Sequence, residues 1–300
     1  MAEPFALLLT VYGGDRADHV REAFRSAVDA QTRRPDQVIL VQDGPVSAEL
    51  AGCLAELTKE SPVPVTFLPL EHNGGLGLAL DAGLAASRYD VVARMDADDI
   101  AMPRRFAVQL PVIERGADLV GAGMLEFGAG REDIVGSRTP VSDPGHIARY
   151  ARLHDPFNHP TIVYRRTAVL AAGGYGDMPL MEDYWLFARM IASGAEVVNL
   201  PEPLVYYRVG EGAYERRGGL VLLRAELRLQ RELLRSGFTT PAQYLRNVSV
   251  RGGYRLTPAW IRRPLYRRFV APRGERRARI PSVESPVENP TSSVEETRER

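Results

Sequence analysis

The chain contains one cysteine, Cys53, one lysine, Lys59, and no long apolar run. A single cysteine excludes an internal disulfide framework and any zinc site built from several cysteines. No apolar stretch approaches the roughly 18 residues of a membrane span, so a transmembrane helix is not expected. The first residues, MAEP, offer no basic segment before an apolar run. We therefore predict no signal peptide and expect a cytoplasmic location.

Because lysine is almost absent, nearly all positive charge is arginine, and it crowds into residues 246–279. The chain has no zinc-finger or RNA-binding signature, and its basic cluster is confined to one end. Nucleic acid is therefore not an expected partner. The 300 residues, of which 45% are hydrophobic, allow one large α/β domain or two smaller ones.

Strand-like and helix-like segments alternate through the first hundred residues. Short apolar runs predict strands at residues 5–11, 37–41, 63–68 and 89–93. Apolar residues at helical spacing predict helices over residues 15–30, from Ser47, after the turn at residues 73–75, and with Pro103 in a first turn. Repeated β–α units of this kind predict an α/β fold with a mostly parallel central sheet flanked by helices.

The second half of the chain is less regular. Strands are predicted at residues 118–127, 161–164 and 196–200, and helices at residues 141–153, 182–193 and 220–235. From about residue 271 onward Pro, Ser, Glu and Arg dominate and large apolar residues nearly vanish. A disordered tail is therefore expected over residues 271–300.

Three carboxylates, Asp96, Asp98 and Asp99, follow directly after the apolar strand in DVVARMDADD. Carboxylates this close repel one another unless a cation lies among them. Open α/β sheets bind ligands beyond the carboxyl ends of their strands. A hard divalent cation that carries a phosphorylated ligand is therefore favoured. The alternative is a solvated turn whose aspartates cap a helix.

Two further polar turns, residues 10–15 and residues 42–45, follow neighbouring strands of the predicted sheet. A parallel sheet would bring both near the acidic cluster. Tyr12 could then stack on a base, and Asp43 could accept a hydrogen bond from its imide N–H. Each turn by itself also fits an ordinary β–α connection, which needs Gly and Asp in any case.

Residues 75–80, GLGLAL, begin like a dinucleotide-binding fingerprint. Leu80 occupies the third glycine position, and no acidic residue ends a following strand at the expected distance. The first β–α turn also lacks the motif. A Rossmann dehydrogenase is therefore excluded.

Several motifs occur in a fixed order: LLLTVYGGD, VILVQDGP, NGGLGLALDAGL, VVARMDADD, NHPTIVYRR, GGY and MEDYWLFARM. This order resembles the inverting family 2 glycosyltransferases with the GT-A fold, most closely the bacterial exopolysaccharide type that includes the amylovoran-synthesis transferases. The resemblance implies a GT-A domain at residues 1–217, with a nucleotide-sugar half (1–115) and an acceptor half (116–217). A helical extension would follow at residues 218–270.

The resemblance also implies a role for each matching residue on the donor side. Thr10 and Tyr12 match the family's nucleotide-binding first turn, and Asp43 matches the aspartate that contacts the base. Asn73 and Arg94 would be neighbours in the donor-binding pocket. Asp98 would bind Mn²⁺ or Mg²⁺, which bridges the donor diphosphate. Asp96 would face the ribose or share the metal. The expected donor is a nucleotide-sugar, with UDP as the favoured nucleotide.

Glu182 and Asp183 match the family's acidic pair before the acceptor-side helix, where the aspartate takes the acceptor hydroxyl proton. A single displacement needs one base on the acceptor face and charge neutralisation at the leaving diphosphate. The alternative is a first-turn carboxylate stabilised by the helix dipole. The dipole would lower the pKa of Asp183, so burial or a neighbouring carboxylate must compensate. The implied acceptor is a glycan or a lipid-linked oligosaccharide.

Three other features remain open at the level of sequence. His159 would either contact the acceptor or diphosphate, or cap a loop. Arg208, Arg216 and Arg217 are candidates for a diphosphate clamp in a closing loop. Residues 260–270 mix aromatic, aliphatic and arginine residues, which suits either peripheral contact with the inner face of the plasma membrane or a packed terminal helix.

Two other functions compete with sugar transfer. A sugar-nucleotide nucleotidyltransferase also needs a metal and diphosphate recognition, but it usually carries basic residues in its first loop, and residues 10–15 have none. A non-catalytic nucleotide-sugar-binding protein would not need the acidic pair at Glu182 and Asp183.

Overall fold

The computed structural model describes residues 3–209 and 219–253. Its strands are β1 (Phe5–Tyr12), β2 (Gln37–Asp43), β3 (Val65–Pro69), β4 (Val91–Met95), β5 (Ile100–Ala101), β6 (Leu119–Phe127), β7 (Ile134–Arg138), β8 (Val163–Arg165) and β9 (Val197–Arg208). Its helices are α1 (Ala17–Val28), α2 (Ala48–Glu60), α3 (Leu76–Ala85), α4 (Arg105–Glu114), α5 (Pro144–Tyr150), α6 (Arg166–Ala171), α7 (Glu182–Ala192), α8 (Leu220–Arg235) and α9 (Pro241–Asn247). A short 3₁₀ helix (His159–Thr161) and a π-helical turn (Val248–Gly252) complete these elements.

The strands form one sheet in the order β3-β2-β1-β4-β8-β6-β9-β5, and β7 pairs with the end of β6. β1 to β4 run parallel, as do β6 and β9, whereas β8 runs antiparallel to both of its neighbours. The predicted α/β fold, with a mostly parallel sheet flanked by helices, is confirmed. Parallel pairing brings the carboxyl ends of β1, β2 and β4 to the same edge, where ligands bind in such sheets.

β1 is apolar throughout because both faces of the sheet are covered. Leu7 and Leu9 point into one core, shared with α1, α2 and α4. Ala6 and Leu8 point into a second core, shared with α3 and α7. Side chains alternate between the faces of a strand, so two buried faces require a continuous apolar run rather than an alternating one.

The described part of the C-terminal extension is helical, as predicted, and α8 has the predicted bounds. Leu229 and Leu233 of α8 pack against Met181, Tyr184 and Ala188, at or near α7. The extension therefore supports the helix that carries Glu182 and Asp183. Within residues 3–209 and 219–253, no helix is both long and apolar enough to cross a membrane.

Some predicted boundaries were wrong. β9 continues past residue 200 to Arg208, although it contains Pro201 and Pro203. Its pairing with β6 shifts register beside Gly123, and this irregularity accommodates residues that lack a backbone N–H. Thr161 belongs to the 3₁₀ helix rather than to a strand, and Pro103 precedes α4 instead of lying in its first turn.

Candidate active site

A cavity of about 240 Å³ opens where β1 and β2 end and α3 begins. It is lined by Thr10, Val11, Tyr12, Asp43, Asn73, Gly75, Leu76 and Ala79. Tyr12 is 51% exposed, so much of its ring is accessible to a planar ligand. Of the residues predicted to contact the nucleotide, Thr10, Tyr12, Asp43 and Asn73 therefore line one cavity.

Asp43 holds the loop that forms one wall of this cavity. Its carboxylate accepts hydrogen bonds from the backbone N–H groups of Gly74 (2.8 Å) and Gly75 (3.0 Å). The side-chain amide of Asn73 donates to the backbone carbonyl of Asp43 at 3.2 Å. The contact of Asp43 with a base stays a prediction. It is compatible with these hydrogen bonds, because each carboxylate oxygen retains a second lone pair that can accept from a ligand.

The acidic loop after β4 is fixed from two sides. The guanidinium group of Arg94, which is 1% exposed, forms an ion pair with Asp96. The backbone N–H of Arg208 donates to Asp99 at 2.9 Å, and its side-chain Nε donates to the carbonyl of Asp98 at 2.8 Å. Arg94 is therefore paired with the acidic loop and does not belong to the lining of the cavity at Tyr12.

The carboxylates of this loop are held in an environment that disfavours negative charge. Burial, reinforced by the charge of Asp96, raises the pKa of Asp98 to about 6. Burial also raises the pKa of Asp15 to about 6, and the nearby charges of Asp98 and Asp96 add to this effect. Burial raises the pKa of Asp99 well above its usual range, and its Oδ2 is buried without a hydrogen-bond partner among the described residues.

The turn at residues 10–15 was expected near the acidic cluster, but Asp15 was not singled out from the sequence as a member of it. Asp15 ends the turn after β1, and its carboxylate accepts from the backbone N–H of Tyr12 at 2.9 Å. Its position at a strand end was a usable signal. Its proximity to Asp98, however, depends on the pairing of β1 with β4.

A divalent cation fits this cluster by the chemistry of its donors. The predicted ligands Asp98 and Asp96 offer hard carboxylate oxygens, and a cation would relieve the repulsion that raises the pKa of Asp98. In the described ranges, no group of three or more His, Cys, Asp or Glu side chains is arranged to hold a metal ion. A cation bound here would therefore take most of its ligands from a phosphorylated partner and water, as Mg²⁺ commonly does.

The acceptor-side pair lies in the first turn of α7, as predicted. The Oδ1 of Asp183 accepts from the backbone N–H of Tyr184 at 2.7 Å, and its Oδ2 lies 3.9 Å from Nδ1 of His159. Burial raises the pKa of Asp183, so burial outweighs the effect of the helix dipole. Burial and the charge of Asp183 together raise the pKa of Glu182 to about 7.

A second cavity, of about 270 Å³, includes Glu182 in its lining. It is lined by residues 73–78, 176–180 and Glu182. It shares Asn73, Gly75 and Leu76 with the cavity at Tyr12. Glu182 therefore faces a space that lies next to the cavity at Tyr12 and shares part of its wall. The segment 176–180 was not singled out from the sequence.

The structure gives the surroundings of His159 and Arg208, whose roles the sequence left open. Burial lowers the pKa of His159 well below its usual range, and Nε2 of His159 lies 3.0 Å from the hydroxyl of Tyr175. Arg208 contacts the acidic loop and forms an ion pair with Glu22 at 2.8 Å. Arg216, Arg217 and the predicted membrane-contact segment 260–270 lie outside the described residues.

Comparison with known proteins places this geometry in context. Residues 8–173 match the model of the family described as glycosyl transferase family 2. The chain is 38% identical to an uncharacterized glycosyltransferase of Haemophilus influenzae, covering 89% of this chain and 98% of that one. It is 35% identical to the amylovoran biosynthesis glycosyltransferase AmsE of Erwinia amylovora (87% and 97% covered). It is 29% identical to the UDP-Gal:alpha-D-GlcNAc-diphosphoundecaprenol beta-1,3-galactosyltransferase of Escherichia coli (89% and 96%).

Solved structures with low sequence identity share the fold. The structure of S. aureus TarS 1-349 in complex with UDP-GlcNAc aligns with a TM-score of 0.60 at 16% identity, covering 82% of this chain and 72% of that chain. The mannosyltransferase PcManGT from Pyrobaculum calidifontis, in complex with GDP-Man and Mn²⁺, aligns with a TM-score of 0.60 at 13% identity (90% and 76% covered). These likenesses support the fold assignment.

Proposed function

The chain belongs to glycosyl transferase family 2, and on that premise we propose that it transfers a sugar from a UDP-sugar with inversion at the anomeric carbon. The acceptor that we propose is a lipid-linked or polysaccharide glycan, and the reaction depends on Mn²⁺ or Mg²⁺. One observation carries the proposal most directly. The cavity lined by Glu182 shares Asn73, Gly75 and Leu76 with the cavity at Tyr12. Donor and acceptor groups can therefore lie side by side.

The first cavity is suited to the nucleoside. Tyr12 offers an accessible aromatic ring for stacking against the base. Asp43 and Asn73 fix the loop at residues 73–75, which gives the cavity a preformed wall. A preformed wall lowers the ordering cost of binding. Thr10 lies beside Tyr12 in the same lining and can contact the ribose or base.

The acidic loop is suited to the diphosphate end of the donor. We assign Asp98, assisted by Asp96, as the residues that hold the divalent cation. When bound, such a cation neutralises charge on the departing diphosphate. The ion pair of Arg94 with Asp96 and the hydrogen bonds from Arg208 keep the loop in place before the donor arrives.

Asp183 is proposed as the base. As its carboxylate takes the proton of an acceptor hydroxyl, the hydroxyl oxygen forms a bond to the anomeric carbon and the bond from that carbon to the diphosphate breaks. The bonding electrons leave with the UDP, and a single displacement of this kind inverts the configuration. The raised pKa of Asp183 supports this role, because a stronger base accepts the proton more readily.

The E. coli relative is named for an acceptor that carries GlcNAc on a diphospholipid. We therefore propose GlcNAc linked to a polyprenyl diphosphate as the first acceptor to test. The experiment incubates the protein with a panel of UDP-sugars, Mn²⁺ and this acceptor, then measures UDP release and the anomeric configuration of the product. Retention of configuration, or activity unaffected by a chelator, would contradict the proposal.

Two variants test the assignment of the base in the same experiment. Asp183→Asn should bind UDP like the unaltered protein but lose transfer by roughly 10²- to 10⁴-fold. Asp143→Asn, a change at an exposed carboxylate outside the site, is the matched control. Full turnover by Asp183→Asn would disprove the base assignment. Pyrophosphate release from UTP and a sugar phosphate would instead support a nucleotidyltransferase.

A further inference from the structure

The carboxyl group of Asp155 lies against the carboxyl group of Asp183, and the two share a hydrogen bond. Asp155 lies in the irregular segment between α5 and the 3₁₀ helix, and Arg251 of the C-terminal extension is near enough to act on its charge. Its Oδ1 also accepts from the backbone N–H of Phe157 at 3.2 Å. Asp155 thus has a fixed orientation toward the proposed base.

The C-terminal extension holds the segment that carries Asp155. Arg251 donates to the carbonyl of Leu153 at 2.9 Å and forms an ion pair with Glu226, which is fully buried. The side-chain amide of Asn247 donates to the carbonyl of Arg152 at 2.7 Å. Breaking a buried ion pair is costly, so these contacts make a rigid support. The acceptor-side base is therefore connected to the extension through residues 152–155.

Two carboxyl groups in contact cannot both be ionised without strong repulsion, so the pair holds one proton. Burial raises the pKa of Asp155 well above its usual range, and the charge of Asp183 raises it further. The backbone N–H of Tyr184 hydrogen-bonds to Asp183 and favours its ionised form, as does the charge of Arg94. Each carboxyl accepts from one backbone N–H, but the pKa of Asp155 is raised further than that of Asp183, so we place the shared proton on Asp155, whose O–H would then donate to the Asp183 carboxylate.

The other charged and titratable groups around the pair act on it in both directions. Arg251 faces Asp155 from the extension, and its charge acts on Asp155 in the direction opposite to burial. Glu182 adds like charge from α7, and burial raises its own pKa to about 7. His159 approaches Asp183 from the 3₁₀ helix, but burial keeps its pKa low, so it is neutral at pH 7.

We propose that Asp155 is a positioning residue for the base Asp183: it donates a hydrogen bond that orients the carboxylate, and the C-terminal helices set this contact. The inference rests on the proposed function, because it assumes that Asp183 takes the acceptor proton. In the resting pair one proton is shared. After Asp183 accepts the hydroxyl proton the pair holds two, and Asp183 then releases one to solvent.

Asparagine is the matched replacement, since it has the shape of a protonated aspartate. In Asp155→Asn, Oδ1 can still accept from Phe157 and Nδ2 can still donate to Asp183. Asp155→Ala removes both contacts. Asp155→Asn should therefore keep kcat within a few-fold of the unaltered protein. Asp155→Ala should lower kcat by roughly 10- to 100-fold with little change in KM for the donor. Asp143→Asn serves again as the exposed control.

The pH profile of kcat gives a readout that a purely structural role would not move. In the unaltered protein kcat should fall at alkaline pH, where Asp155 ionises and repels Asp183. Asp155→Asn should lack this alkaline fall, because the amide does not ionise. This comparison also holds if Asp155→Ala does not fold, which thermal melting would reveal. Coincident alkaline profiles for Asp155→Asn and the unaltered protein would overturn the inference.

The two proposals fail in distinguishable ways. Full sugar transfer by Asp183→Asn would show that Asp183 is not the base, and the proposed mechanism would then be wrong. If Asp183→Asn is inactive while folded Asp155→Ala transfers sugar at the normal rate, only the positioning role of Asp155 is lost.

Discussion

Arg94 forms a buried ion pair with Asp96. Asp96 therefore already has a cationic partner within the protein. Asp98 lacks such a side-chain contact among the described residues: Arg208 bonds to its backbone carbonyl, and the carboxyl pKa stays raised to about 6. The two predicted metal ligands are thus not equivalent. An added cation would stabilise the ionised form of Asp98 more than that of Asp96. The carboxylate of Asp96 is already paired with the guanidinium group of Arg94.

The first prediction separates these two carboxylates. Asp98→Asn should abolish the Mn²⁺ dependence of UDP binding without lowering the free energy of unfolding at neutral pH, because burial already disfavours the Asp98 charge in the folded protein. Asp96→Asn should lower the free energy of unfolding by roughly 3 kcal/mol, because it leaves the Arg94 charge buried without its partner. Calorimetric titration with UDP and urea unfolding measure the two effects. Equal effects of both variants on metal-dependent binding would contradict the distinction.

The second prediction concerns Tyr12. Its ring is half exposed at the mouth of the first cavity, so replacing it should change binding more than stability. Tyr12→Ala should weaken UDP binding by about 1–3 kcal/mol, the usual contribution of base stacking on an aromatic ring. Tyr12→Phe keeps the stacking surface and is the control. If both variants bind UDP like the unaltered protein, the base does not stack on residue 12.

The third prediction concerns the pH dependence of stability at Glu182. Its pKa rises from 4.5 to about 7 in the folded protein. Between these pH values the folded protein retains a proton that the unfolded chain has released. The free energy of unfolding therefore falls as the pH rises through this window. Glu182→Gln should remove this fall and be more stable than the unaltered protein above pH 7, by on the order of 1–3 kcal/mol.

Urea unfolding at pH 5 and pH 8 tests this expectation. The difference between the two pH values should shrink in Glu182→Gln but not in Asp143→Asn, whose carboxylate is exposed. An unchanged difference in Glu182→Gln would mean that Glu182 ionises normally in the folded protein.

Local patterns were enough to predict that the turns after β1, β2 and β4 lie at one edge of the sheet. The strands that end at Tyr12, Asp43 and Met95 are apolar runs, and parallel pairing brings their ends together. The turn residues after each run could therefore be assigned to one edge without coordinates. The anchoring of Asp43 to the loop at residues 73–75 was not visible, because it joins segments about 30 residues apart through backbone N–H groups.

The acceptor side was predictable only in part. Glu182 and Asp183 were assigned from the resemblance to the family's acidic pair, and the structure places both in the first turn of α7, where the helix was expected. Asp155 lies in an irregular segment with no periodic pattern, and its contact with Asp183 depends on helices from the end of the chain. Arg94 was expected near the donor from the resemblance alone, and its ion pair with Asp96 was not foreseen. The alternation of side chains along β4 does not show which carboxylate a buried arginine pairs with, so the ion pair between Arg94 and Asp96 could not be predicted from the sequence.

The last prediction tests the packing that places α3 beside the site. A Cβ at Gly83 would lie 2.3 Å from Cδ1 of Leu8 and 3.0 Å from Cγ2 of Val41. Both of these side chains are fully buried in β1 and β2, so they have little room to move. Gly83→Ala should therefore lower the free energy of unfolding by roughly 1–2 kcal/mol, because overpacking outweighs the better helix propensity of alanine. Gly52 of α2 is the matched control: a Cβ there meets no atom within 4 Å. Gly52→Ala should raise stability by up to about 1 kcal/mol. If both variants stabilise the protein in urea unfolding, α3 packs on the sheet less closely than these distances require.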